Sequence, residues 1–99
     1  MQNYDNYVEG IRDSTFSMAL ETEYFFIIKE DNPNGKTPIY HINENNTRDE
    51  IGEIKCYGAW RKYCFFPAYK TVWDNKCILQ VMNFMNKINL NRYKDKEGE

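Results

Sequence analysis

The sequence predicts an α+β domain: a four- or five-stranded antiparallel sheet, a C-terminal helix packed on one face, and a short N-terminal helix. Three observations carry this expectation. Short runs rich in aromatic and β-branched residues, separated by turn residues, fill positions 14–67. The stretch after Asp74 repeats apolar residues at helical spacing. At 99 residues the chain has the length of one domain. A chain this short buries roughly 60–65% of the surface its unfolded form exposes. That supports one thin core between a sheet and a helix, and argues against a deep cleft with a separate cofactor domain.

Near the N-terminus, Tyr4, Tyr7, Val8 and Ile11 fall at i, i+3, i+4 and i+7, the stripe of a short amphipathic helix over 2–12. Residues 14–20 alternate, with Phe16, Met18 and Leu20 expected on one side of an edge strand. The run Tyr24-Phe25-Phe26-Ile27-Ile28-Lys29 reads as a central strand. Asp31-Asn32-Pro33-Asn34-Gly35 is a dense turn signal, because Asn-Gly supplies positive φ at low cost. Residues 37–43 then return as the second strand of a hairpin, with Tyr40 and Ile42 on one face and Ile39 and His41 on the other. Residues 44–49 form a polar loop.

A second hairpin spans 51–67 and turns near Gly58-Ala59. Two registers fit. A two-residue turn opposes Ile54 to Tyr63 but sets Lys55 against Lys62. A three-residue turn opposes Ile54 to Cys64 and places Tyr57 beside Arg61 and Lys55 beside Tyr63, both favourable cation–ring neighbours. The second is preferred. Thr71-Val72-Trp73 suggests a short extra strand, and Asp74 reads as a helix N-cap. A helix from about 75 to about 90 follows, its core stripe made of Ile78, Val81, Met82, Met85 and Ile88, with Cys77 and Phe84 widening it. A charged, frayed tail is expected from Arg92 onward.

Aromatic residues make up 16% of the chain. Large rings let a small fold build a core, and Tyr and Trp are also common at binding surfaces. The formal charge of −2 is unevenly spread. Residues 1–50 hold ten acids and four bases, and residues 51–99 hold five acids and nine bases. The division allows one acidic and one basic face, unless the charges intermix on folding. The three cysteines, Cys56, Cys64 and Cys77, are odd in number and show no CxxC pattern. With no signal-peptide pattern at the start, they read as reduced, buried thiols of a cytoplasmic protein in its host cell. No apolar run is long enough to cross a bilayer, so no membrane role is expected.

Signatures of catalysis are missing. His41 is the lone histidine, and nucleophilic catalysis needs it beside a Cys or Ser with an orienting acid. Zinc binding by Cys56, Cys64, Cys77 and His41 has suitable ligand types but not the paired spacing of zinc knuckles, so no metal is expected. The scattered glycines form neither a phosphate loop nor a dinucleotide fingerprint, and no cofactor is expected. The chain therefore reads as a non-enzyme.

The positive signal is the tip of the second hairpin. Tyr57, Trp60, Arg61, Lys62 and Tyr63, with Lys55 behind them, put rings beside cations. That is the composition of an interaction hot spot. The same set would also suit stacking a base and holding a phosphate. Alternatively Trp60 folds back onto the core.

The stretch Gly52-Glu53-Ile54-Lys55-Cys56-Tyr57-Gly58-Ala59-Trp60-Arg61-Lys62-Tyr63-Cys64-Phe65-Phe66-Pro67, followed by Thr71, Trp73 and Cys77, resembles a motif of small proteins encoded by phages and their bacterial hosts. That motif runs Gly-x-Ile-Lys-Trp-Tyr-x-x-Trp-Arg-x-Tyr-Cys-Phe-Phe-Pro, and the resemblance covers about the last half of the chain. Cys56 stands where the motif commonly has Trp. The resemblance carries no activity and no site residues. It implies a context by analogy: small accessory phage proteins without catalytic motifs often inhibit host defences, CRISPR and nucleotide-signalling systems among them. The expectation is a non-enzymatic binding protein of phage or mobile-element origin that blocks a host protein or protein complex through Lys55, Tyr57, Trp60, Arg61, Lys62 and Tyr63. The alternative is a protein that sequesters a nucleotide or nucleic acid. The edge strand at 14–20 also offers its backbone to a second copy, as in a homodimer.

Overall fold

In the computed structural model, residues 15–31 and 37–97 are described, with side chains described up to residue 91. Five strands run in chain order across one sheet: β1 (Thr15–Glu21), β2 (Phe25–Asp31), β3 (Ile39–Glu44), β4 (Glu50–Tyr57) and β5 (Lys62–Pro67). Every neighbouring pair is antiparallel. One helix, α1 (Asn75–Glu97), follows and packs against β5. The expected N-terminal helix over 2–12 lies outside the described residues.

Alternation decides which side chains meet the helix. Phe25 and Ile27 of β2, Tyr40 and Ile42 of β3, Ile54 of β4 and Tyr63 of β5 share one face and form the core with Val81 of α1. Tyr40 and Ile42 therefore share a face, with His41 on the other, as the sequence pattern indicates. The Tyr40 ring meets Phe84 of α1 edge-on at 5.1 Å and Tyr63 at 5.8 Å. Burial pushes the Tyr40 hydroxyl up to about 12, helped by Tyr63 and Asp31.

Strict alternation fails in two places, and each is a bulge. In β1 the register shifts between Met18 and Leu20. Met18 stays opposite Ile28, on the face away from the helix, while Ala19 and Leu20 both pack against the core. The expected single face of Phe16, Met18 and Leu20 is thus split, because one extra residue rotates the remainder of the strand. In β4, Asn43 opposes Glu50 and Ile42 opposes Gly52, leaving Ile51 as the extra residue. Ile51 packs against the core beside Gly52.

The helix begins where Asp74 caps it: Oδ1 accepts the Cys77 N–H at 2.9 Å, and the Asp74 carbonyl accepts the Ile78 N–H. This hydrogen bond holds the Asp74 carboxyl below its ordinary value. The helix runs to Glu97, beyond the expected end near 90. Its core stripe is Cys77, Val81, Phe84, Met85 and Ile88. Ile78 and Met82, expected in that stripe, are exposed. The stripe therefore lies toward the side of Cys77 and Phe84, the residues expected only to widen it.

Residues 71–73 do not form a strand. Trp73 instead plugs the side of the core, 4.9 Å from the Phe65 ring and 6.4 Å from Phe25, with its indole N–H donated to Thr71 Oγ1 at 2.9 Å.

Candidate functional site

The hairpin tip starts from its register. Tyr57 opposes Lys62, Cys56 opposes Tyr63 and Ile54 opposes Phe65, so four residues, Gly58 to Arg61, make the loop. Neither expected register is correct. The reason is Arg61, which adopts φ 56° and adds a fourth loop residue before pairing resumes. The N–H groups of Trp60 and Arg61 both donate to the Tyr57 carbonyl, at 3.1 and 2.8 Å.

This register sorts the six expected residues onto two faces. Lys55, Tyr57 and Lys62 lie on the face away from α1, and Tyr63 lies on the helix face. Trp60 is 65% exposed and Tyr57 41%. Their rings meet edge-on at 5.2 Å, and Tyr57 in turn stands 6.3 Å from Phe66. Lys55 Nζ lies 5.0 Å over the Phe66 ring and 3.2 Å from Glu53 Oε1. The expected Lys55–Tyr63 neighbour is thus replaced by Lys55–Phe66. Arg61 and Lys62 are exposed, and none of the ion pairs among the described residues involves either. Tyr63 is only 6% exposed, so it does not join Trp60 on one surface.

Tyr63 has a different task. Its side chain is core, and its backbone is the outer edge of the sheet. Asn89 of α1 reaches over that edge: Oδ1 accepts the Tyr63 N–H at 2.8 Å, and Nδ2 donates to the Tyr63 carbonyl at 3.3 Å. A side-chain amide replaces the missing sixth strand. Four residues on along the same edge, Pro67 offers no N–H at all.

The second concentration of polar chemistry lies on the face away from α1, around His41. Nε2 is 2.8 Å from Glu30 Oε1 on β2. Nδ1 is 3.2 Å from Glu50 Oε1 and 3.7 Å from Glu53 Oε2 on β4. Burial works to lower the His41 pKa, and the hydrogen bonds to Glu30 and Glu50 outweigh it, so the net shift is upward.

The cysteines are free and half-buried rather than fully buried. Cys56 faces the helix and Cys64 the opposite side, so these two and His41 do not converge. Burial pushes the Cys77 thiol up, which disfavours the thiolate. Of the clefts among the described residues, one of about 450 Å³ is lined by Met18, Phe26, Asn45 and Arg48, and one of about 300 Å³ by Leu20, Gln80, Phe84 and Lys87. Glu21 and Thr22 line both. No helix among the described residues is long and apolar enough to cross a membrane. No protein-family model, curated protein or solved structure matches the chain.

Proposed function

We propose that the protein is a non-enzymatic binding protein, of phage or mobile-element origin, that inhibits a host defence protein by direct contact through the β4–β5 tip. The observation that carries this reading is the placement of Trp60: it is 65% exposed, yet held edge-on against Tyr57, which rests near Phe66. A large ring already ordered in the free protein loses little further entropy on binding. Arg61 and Lys62 stand beside it, and Trp and Arg are the residue types most enriched at binding hot spots. The resemblance of Gly52–Pro67 to a phage-encoded motif supports the context.

Nucleotide capture has less support. It relied on Trp60 and Tyr63 stacking a base together, and Tyr63 packs on the helix side.

The test is capture of host proteins by the tagged chain, compared with a Trp60→Ala, Arg61→Ala double variant whose circular dichroism matches the parent. The expected result is a partner retained by the parent and lost by the variant. A folded variant that retains every partner of the parent would overturn the proposal.

A further inference from the structure

The bulge at Ile51 has a chemical effect on the opposite face of the sheet. Glu50 and Glu53 are three residues apart, and in a regular strand they would point to opposite sides. The extra residue turns Glu50 onto the face of Glu53. Both carboxylates then converge on one atom of the neighbouring strand, His41 Nδ1, at 3.2 and 3.7 Å. The three donor atoms lie within 4.8 Å of one another.

A protonated Nδ1 has one hydrogen to give, so it serves one of these carboxylates, and Glu53 Oε2 is left without a donor of its own among the described residues while Lys55 holds Oε1. A divalent cation serves all three donors. Zinc bound at about 2.1 Å by nitrogen and oxygen ligands in a tetrahedron places its ligands about 3.4 Å apart. The two separations from Nδ1, 3.2 and 3.7 Å, bracket that spacing, and the two carboxylate oxygens lie within 4.8 Å of each other. The rest of the imidazole is arranged to match. Nε2 sits 2.8 Å from Glu30 Oε1, and an Nε2–H donated there fixes the tautomer with its lone pair on Nδ1. A carboxylate behind a ligating histidine is a recurrent feature of metal centres. Glu53 divides its work: Oε1 holds Lys55, while Oε2 faces His41. Two carboxylates and a neutral imidazole balance a 2+ charge, and Glu50, the most exposed of the four side chains, leaves a side open to water.

We propose that His41 Nδ1, Glu50 and Glu53 form a binding site for one borderline divalent cation of the zinc class, with Glu30 as the residue that orients the imidazole. The mixed nitrogen and oxygen donor set favours Zn²⁺, Co²⁺ or Ni²⁺ over Mg²⁺, which prefers oxygen ligands alone. Binding displaces the Nδ1 proton to solvent. This site does not rest on the recognition proposed for the tip, although Lys55 touches both through Glu53.

The test is calorimetric titration of the full chain, kept reduced by a non-chelating phosphine, using ZnCl₂ and MgCl₂, together with ¹⁵N spectra of the His41 ring. The expected result is one zinc per chain, no saturable magnesium binding, and a shift of the Nδ1 resonance with Nε2 still protonated. Glu50→Gln and Glu53→Gln should each weaken zinc binding by about tenfold or more. Glu30→Gln should weaken it while leaving the stoichiometry at one. Absence of saturable zinc binding would overturn the proposal, leaving the cluster as a proton-held ion pair. So would an unmoved Nδ1 resonance, which is read on the unmutated chain and does not depend on how the variants fold. Undiminished binding in the Glu50→Gln, Glu53→Gln double variant would overturn it as well.

Discussion

Replacing Asn89 by Leu tests whether the helix seals the sheet edge as its geometry indicates. The substitution removes the acceptor for the Tyr63 N–H at 2.8 Å and the donor to its carbonyl at 3.3 Å. A made hydrogen bond contributes a net of about 1 kcal/mol, and a partly buried N–H left without a partner costs about 1–3 kcal/mol. The longer bond lies beyond the usual 2.7–3.2 Å range for such pairs and contributes less. Leu is a better helix former than Asn by about 0.5 kcal/mol, which offsets part of the loss. The expected net destabilisation is about 1–2 kcal/mol, or a melting point lower by roughly 5–10 °C for a domain of this size. Urea unfolding followed by far-ultraviolet circular dichroism reads the first quantity. Hydrogen exchange at the Tyr63 amide reads the mechanism and should lose protection selectively. Asn89→Asp is the control: it keeps an acceptor for the N–H but turns a carboxylate toward the Tyr63 carbonyl, and should also destabilise. An Asn89→Leu protein with unchanged melting point and unchanged Tyr63 exchange would refute the reasoning.

Gly52→Ala should destabilise by about 1–2 kcal/mol in urea unfolding, because a Cβ there falls 2.8 Å from the Phe65 ring, which Trp73 pins in place; Gly58→Ala, with nothing within 4 Å, should be within about 0.5 kcal/mol of the parent. The two tryptophans should separate cleanly: Trp60→Ala changes stability by no more than about 0.5 kcal/mol, whereas Trp73→Ala costs about 3 kcal/mol. Arg61→Gly should raise stability by about 1 kcal/mol, by relieving the φ of 56°, while weakening partner capture. Asp74→Ala should lower the unfolding midpoint at neutral pH. Since the folded Asp74 pKa is depressed, its contribution is fully present above the unfolded value and disappears as pH falls through the folded one. Parent and variant should therefore converge in acid, and a gap that persists or widens there would contradict the cap.

The parts of the fold legible in the sequence were those fixed by local chemistry. The β2 run of aromatic and β-branched residues, the Asp74 cap and the period-two pattern placing Tyr40 and Ile42 opposite His41 needed no knowledge of distant contacts. The misreadings of strand face and of hairpin register share one physical source, the insertion of a single residue. Ala19 and Ile51 each break the alternation that assigns faces, and Arg61 lengthens the β4–β5 loop from the expected three residues to four. No residue type at these positions announces the change. For the tip, exposure of Trp60 was one of two open readings, and the burial of Tyr63 followed from the register that was missed. The His41 cluster was invisible for the same reason: Glu50 and Glu53 share a face only through the bulge, and Glu30 joins them only once β2 and β3 are paired.

The order of strands in the sheet bears on how quickly the chain reaches it. Each strand pairs with the one made just before it, so the closures are short and few distant segments must find one another by diffusion. The exceptions are the return of Trp73 to Phe25 and the docking of α1, whose Phe84 meets Tyr40 and whose Val81 joins the core of β2 and β3. Rapid zippering of successive hairpins, with seating of the helix as the slow step, is the kinetic consequence, and removing the Trp73 indole should accelerate unfolding far more than it slows folding.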